Sequence, residues 1–291
     1  MDQTRTLWPG FVLLKSISAS CLFLLISTAL CQDLKKTEYE VYAVQYATLP
    51  AFPVRALVAD ADSSRRIDIA MMVWILRGTG GRVVLVDAGF HRDHYIKRWN
   101  PQNFLLPSKA IEKLGISPED VTDLMITHMH WDHAGSVDLF PKARVWIERD
   151  EFEYYTMGEG KSGNNDVDRE DAALLTSLKD QGRLMLVEGD AKEILPGIIV
   201  YTGGRHTYAS QFVGVRTKGG RTVILASDNM YLYENLERHA PIAQTFDAVS
   251  NLKAQDRMKQ LASEIRLIVP GHDSEVFRRF SIPGNGIARI E

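Results

Sequence analysis

The chain has 291 residues, 45% hydrophobic and 24% charged, with a formal net charge of −3. This is an ordinary globular composition, long enough for one large domain or two small ones. Without a basic excess or a basic run, nothing in it suggests a grip on nucleic acid phosphates.

The first thirty residues differ from the rest. Arg5 and Lys15 precede an apolar run from Ile17 to Leu30, which ends in small residues. This reads as a secretory signal peptide over residues 1–31, cleaved near Ala29 to Gln32, and places the mature protein outside the cell or in the periplasm. The alternative is an uncleaved leader acting as a membrane anchor, but the run is short for the ~20 residues of a span. No stable membrane association is expected after cleavage. Cys21 and Cys31 both lie in the leader. The mature domain, 32–291, therefore has no disulfide and no thiolate metal ligand.

Residues 38–54 and 70–89 read as strands, and the GTGG at 78–81 joins two hydrophobic runs as a hairpin turn does. Residues 106–116 read as a helix stopping near Gly115. Ser117-Pro118 then opens a second short helix, with Ser117 as its cap. The apolar DLMIT (123–127) and RVWIE (144–148) read as strands, and RDEFEYY (149–155) as a helix. The polar, glycine-rich stretch 157–170 reads as a loop, and 171–182 as a helix. Strands are expected at 182–190, 193–204, 210–217, 221–227 and 265–273, and a helix at 247–263. No repeat or linker interrupts the chain. One domain is expected, with sheets packed together and helices outside.

The stretch THMHWDHAG (127–135) is the most informative. His128, His130, Asp132 and His133 fall within six residues, in a chain with eight histidines. They follow an apolar strand, and the two-residue spacing of His128 and His130 points both imidazoles the same way. Imidazole and carboxylate are the usual non-thiolate ligands of zinc and similar ions. Without a metal, such a cluster leaves too many polar edges in need of partners. His206, Asp228 and His272 each stand just past a predicted strand, where strand ends on one rim of a sheet converge.

THMHWDHAG resembles the HxHxDH signature of the metallo-β-lactamase superfamily. The resemblance runs over roughly 40–280 in the expected order, with LVDAG (85–89) as a first motif carrying Asp87. It implies an α/β fold of four layers, an αββα sandwich. It also implies two divalent metal ions, zinc foremost. One is held by His128, His130 and His206, the other by Asp132, His133 and His272, with Asp228 as the bridge. Asp87 orients the ligands by hydrogen bonds. Asp228 argues against antibiotic hydrolysis, because true β-lactamases of the superfamily usually carry Cys or Ser there. Three stretches look like N-acyl-homoserine lactonases: WIERDEFEYY, LVEGDAKEILPGIIVYTGG and SDNMYLYENL. The last places Tyr231 three residues after Asp228.

The implied activity is hydrolysis of a small-molecule lactone or ester. A metal-bound hydroxide attacks the carbonyl, Tyr231 assists at the oxyanion, and Asp132 carries the proton to the leaving alkoxide. TGGRHTYASQFV (202–213) departs from the lactonase pattern. Arg205 precedes the ligand, and Tyr208 and Ser210 replace a proline and a histidine. The departure puts substrate identity in question more than metal binding. Rival readings are a glyoxalase II-like thioesterase, a general esterase, an iron-dependent sulfur dioxygenase and a non-catalytic binding module. Trp99, Phe104, Trp131 and the 157–170 loop are candidate pocket walls. His91, His94 and His239 read as surface residues.

Overall fold

The computed structural model describes Met1 and residues 38–162, 166–280, 282 and 286–290. The chain divides after Lys36, and the elements described below lie in the unit Thr37–Glu291. The expected leader lies outside the described residues. Among the described residues no helix is long and apolar enough to cross a membrane.

The framework begins with two long antiparallel strands, β1 (Tyr39–Pro53) and β2 (Arg66–Gly78). Their side chains alternate between two apolar environments. Val41, Ala43, Ala70, Met72, Trp74 and Leu76 face one core, and Tyr42, Val44, Tyr46, Met71, Val73 and Ile75 face another. A strand buried on both faces reads as a nearly continuous hydrophobic run, which is what 70–76 shows. The GTGG turn leads into β3 (Val83–Val86), antiparallel to β2 as expected. β4 (Asp123–Met125), β5 (Arg144–Glu148) and β6 (Leu184–Val187) extend the sheet in parallel, and β12 (Ile287–Ile290) closes its other edge. The second sheet holds β7 (Lys192–Leu195), β8 (Ile198–Thr202), β9 (Gln211–Arg216), β10 (Thr222–Ser227) and β11 (Ile268–Pro270), in the order β11-β10-β9-β8-β7.

The two sheets pack face to face. Val41, Trp74 and Val86 of the first meet Val200, Val213, Leu225 and Val269 of the second. Outside the first sheet lie α1 (Asp93–Trp99), α2 (Pro107–Ile111), α3 (Trp131–Ala134), α4 (Arg149–Thr156) and α5 (Arg169–Asp180). They contribute Tyr95, Ile111, Trp131, Phe152 and Leu175 to its outer core. Outside the second sheet, α7 (Ala248–Leu261) lays Ala254 and Met258 on Phe212, Ile224 and Ile268. α6 (Tyr233–Arg238) and α8 (Val276–Arg279) bring Tyr233 and Val276 to the core between the sheets. The result is the expected helix–sheet–sheet–helix stack.

Some local expectations shift. The run 193–204 is a hairpin of β7 and β8 turned at Pro196-Gly197, where Gly197 takes φ 83°. The helix expected at 171–182 is α5, starting at Arg169, because the Asp168 side chain accepts from the Glu170 N–H and caps it. The helix opened by Ser117 is a single 3-10 turn, Pro118–Asp120. α1, α6 and β12 are elements that the sequence pattern does not announce.

Candidate metal centre

All the motif residues sit past the C-terminal ends of strands on one rim. Asp87 follows β3, the histidine cluster follows β4, and His206 follows β8. Asp228 follows β10 and His272 follows β11. The chain leaves β4, bends through Thr127 and His128, carries His130 on extended backbone, and turns into α3, which bears Asp132 and His133.

Two groups of donor atoms result, each within 4.8 Å. One is His128, His130, His206 and Asp228, and the other is Asp132, His133 and His272. Asp228 joins them through its two oxygens. Oδ2 lies 3.6 Å from His128 Nε2 and 3.3 Å from His206 Nε2. Oδ1 lies 3.3 Å from His133 Nε2 and 3.0 Å from His272 Nε2. Asp132 Oδ2 stands 3.6 Å from the Nε2 atoms of both His133 and His272. Close backbone approach makes room for this. A Cβ on Gly271, just before His272, would lie 2.7 Å from Asp228 Oδ1.

Whether these residues suit metal ions is decided by atoms without partners. His128 Nε2, His133 Nε2 and Asp228 Oδ1 are buried and make no hydrogen bond. Orphaned buried polar atoms are rare and costly. Here they converge on common points with lone pairs inward, the donor chemistry of a divalent ion such as zinc. In the first group the titration directions agree, whereas the carboxylates Asp228 and Asp132 raise His133 and His272. Burial, reinforced by the neighbouring histidines, pushes His128 and His130 well below the usual imidazole range, so both stay neutral donors. Burial opposes ionisation of Asp228, but His133 and His272 outweigh it and hold the carboxyl well below its usual range.

The outer nitrogens of four ligand histidines are anchored, which fixes each tautomer. His206 Nδ1–H donates to the Gln244 carbonyl (2.9 Å) and His272 Nδ1–H to the Ala70 carbonyl (3.1 Å). His133 Nδ1 lies 2.8 Å from Asp87 Oδ2, and His128 Nδ1 lies 3.0 Å from Thr127 Oγ1. Asp87 also accepts from the Thr127 N–H (2.8 Å), Thr127 Oγ1 (3.0 Å) and Ser227 Oγ (3.1 Å). Asp87, Arg205 and Ser227 hold positive φ values of 57°, 56° and 48°. Such backbone costs energy and persists where surrounding contacts over-determine it.

A sequence model of the family described as the metallo-beta-lactamase superfamily matches residues 70–272. The chain belongs to this superfamily. Curated relatives are similar over most of the chain. An N-acyl homoserine lactonase, AiiB, of Agrobacterium fabrum (strain C58) is 29% identical over 238 residues, covering 74% of this chain and 83% of its own. An N-acyl homoserine lactonase of Bacillus cereus is 28% identical over 207 residues, covering 66% and 77%. Among solved structures, a quorum-quenching N-acyl homoserine lactone lactonase superposes with a TM-score of 0.70 at 21% identity, covering 86% of this chain and 99% of that one. AidC, described as a dizinc quorum-quenching lactonase, gives 0.59 at 14%, covering 78% and 87%. These structural likenesses show the superfamily fold.

Within that fold a cavity of about 220 Å³ opens over the donor sets. His130, Asp132, Asp228, Tyr231 and His272 form its floor. Leu49, Phe52, Ile69, Met71, Trp99 and Trp131 form an apolar wall, with Arg98, Asp166 and Gln244 also lining it. Trp131 stacks on both Tyr95 and Trp99, with centroids 4.4 and 5.8 Å away. A larger cavity of about 760 Å³ lies against α4 and α5, but none of the donor residues lines it. We assign the chemistry to the smaller one.

Trp99, Trp131 and Asp166 of the expected loop therefore reach the pocket. Phe104 does not line it and instead packs on Tyr46 and Phe90. Tyr231 is buried, its hydroxyl 3.3 Å from the outer nitrogen of His206 and 3.4 Å from Gln244 Oε1. His91 Nδ1 contacts the Gly135 carbonyl at 2.9 Å, half-buried rather than on the surface. His94 and His239 are exposed and face Asp168 and Asp256. Thr127, Ser227, Gln244 and Glu151 do not stand out in the sequence. Gln244 engages His206 through a main-chain carbonyl, which every residue owns, so its identity carries no signal for that contact.

Proposed function

We propose that this chain is a hydrolase using two divalent ions, zinc by donor chemistry, to open the lactone ring of N-acyl-homoserine lactones or to cut a related ester. The observation that carries the reading is Asp228, whose two carboxylate oxygens address two separate groups of buried imidazoles. The lactonase names of the curated relatives support the substrate class. Bound there, a metal pair polarises a carbonyl and lowers the pKa of a water toward neutrality.

The chain's own side chains do the rest. Burial holds the Tyr231 hydroxyl protonated far above its usual range, so it acts as a donor to a developing oxyanion. Burial also raises the carboxyl of Asp132, which belongs to the second group, lines the cavity and carries a proton to the leaving oxygen. Trp99 and Trp131 form a dry wall for an acyl chain. Lys15 followed by the apolar run Ile17–Leu30 supports export of this activity.

The test is a substrate panel on metal-reconstituted protein, comprising acyl-homoserine lactones, aryl esters, thioesters and a cephalosporin. Lactones are expected to turn over fastest, with two zinc equivalents per chain. Preference for thioesters, or one equivalent of iron with oxygen uptake, overturns the reading. Tyr231→Phe is expected to lower kcat by about 10²-fold, in line with loss of one oxyanion donor, while KM and metal content hold. An unchanged kcat removes Tyr231 from the chemical step.

A further inference from the structure

One fully buried carboxylate near the centre has no part in the chemistry above. Glu151 lies in the first turn of α4, with no exposed surface. Among the described residues no lysine or arginine pairs with it. Backbone amides hold it instead. The Met129 N–H donates to Oε1 at 2.9 Å, and the Ala209 N–H donates to Oε2 at 2.7 Å. Met129 stands between His128 and His130. Ala209 lies three residues after His206, in the segment joining β8 to β9. The two amides belong to loops from different sheets, and α4 lies outside the first.

We propose that Glu151 is a positioning residue that holds His128, His130 and His206 in register as one metal-binding set, and that it acts on that set alone. This rests on the two-ion reading above. The specificity follows from where the bonds go. Both bonds end within three residues of those histidines, and neither ends on a residue of the other group. Asp132 and His133 ride on α3, where His133 is held by Asp87. His272 is held by the Ala70 carbonyl at its ring and by the Tyr231 carbonyl at its N–H (3.0 Å). A carboxylate suits the task because each oxygen accepts independently, so one rigid fork spans two loops. Burial pushes this carboxyl up to about 7 while the two amide donors pull it down, the mark of a group kept in an unfavourable place by its bonds.

Glu151→Gln tests the idea with almost no change in volume. A carboxamide has one accepting oxygen, so its NH2 faces one of the two amide donors and that loop is released. Metal-free wild type and variant are titrated with zinc against a chelator, and with cobalt(II) followed by visible absorption. Wild type is expected to take two tight equivalents. The variant is expected to keep one and to bind the other about 10–100-fold more weakly, as for loss of an outer hydrogen-bond partner. His272→Ala, added to the variant, should abolish the remaining tight site, and His206→Ala should leave it intact. Two equivalents at wild-type affinity, or equal weakening of both, overturns the proposal. Fewer than two equivalents in wild type instead sinks the two-ion reading. If Glu151→Gln does not fold by circular dichroism, Glu151→Asp keeps the charge but is too short to reach both loops. The same one-site loss is then expected, and equal loss of both sites again counts against Glu151.

Discussion

Asp228→Ala is expected to lose metal and turnover together. Metal analysis after dialysis should fall well below two equivalents per chain, and kcat/KM on the best lactone by about 10³-fold or more. The magnitude follows from the several kcal/mol that Lewis-acid charge stabilisation supplies, at about 1.4 kcal/mol per tenfold in rate. The structural reason is that, among the described residues, no other carboxylate addresses both groups. Oδ2 stands before His128 and His206, and Oδ1 before His133 and His272. Alanine takes the only carboxylate from the first group and leaves two clusters of imidazoles facing each other with less negative charge to hold cations between them. The sheets do not depend on this side chain, so the far-ultraviolet circular dichroism should match wild type. A variant that keeps both ions and its turnover would remove the bridge and the hydrolytic reading with it.

The donor residues are legible in the sequence because their signal is local. His128, His130, Asp132 and His133 fall within one turn of chain, and His206, Asp228 and His272 each follow a hydrophobic run whose end marks a strand. The layers are legible for a similar reason: runs such as 70–76 and 222–227 are too apolar for any place but a sheet buried on both sides. What stays hidden is non-local. Ala70 and Gln244 hold ligand histidines through carbonyls that carry no side-chain signature. Glu151 looks like an ordinary acidic residue in the first turn of a helix, where the helix dipole favours it. Its contacts to Met129 and Ala209 exist only once two loops from different sheets meet. Phe104 sits in the same aromatic neighbourhood as Trp99 and Trp131, but composition cannot tell a core ring from a pocket ring. The β7–β8 hairpin reads as one strand in the sequence because the Pro196-Gly197 turn is flanked by apolar residues on both sides.

Asp87 carries the other large expected effect, and it separates stability from metal binding. Four donors converge on this one buried carboxylate: the Thr127 N–H and hydroxyl, the Ser227 hydroxyl and the ring of His133. They tie together the ends of β3, β4 and β10. Asp87→Ala strands these groups without water, and each unsatisfied buried donor costs about 1–3 kcal/mol. A loss of at least about 3 kcal/mol is expected in the metal-free protein, a fall of about 6 °C or more in Tm at about 2–4 °C per kcal/mol for a domain of this size. Asp87→Asn keeps the volume and replaces one acceptor by a donor. The amide can satisfy the Thr127 side or the His133 side, but not both. If it faces Thr127 with its oxygen, its NH2 meets His133 Nδ1, which must give up its proton. The proton then moves to Nε2, the atom that faces Asp228, and the ring can no longer donate a lone pair there. Asn should therefore keep much of the Tm yet weaken metal binding about 10–100-fold, the usual effect of losing an orienting partner. Calorimetry of the metal-free variants with chelator competition on the same samples separates the two effects. Equal Tm losses for Ala and Asn would mean that Asp87 works only as a structural knot, and unchanged metal affinity in Asn would show that His133 keeps its tautomer without it.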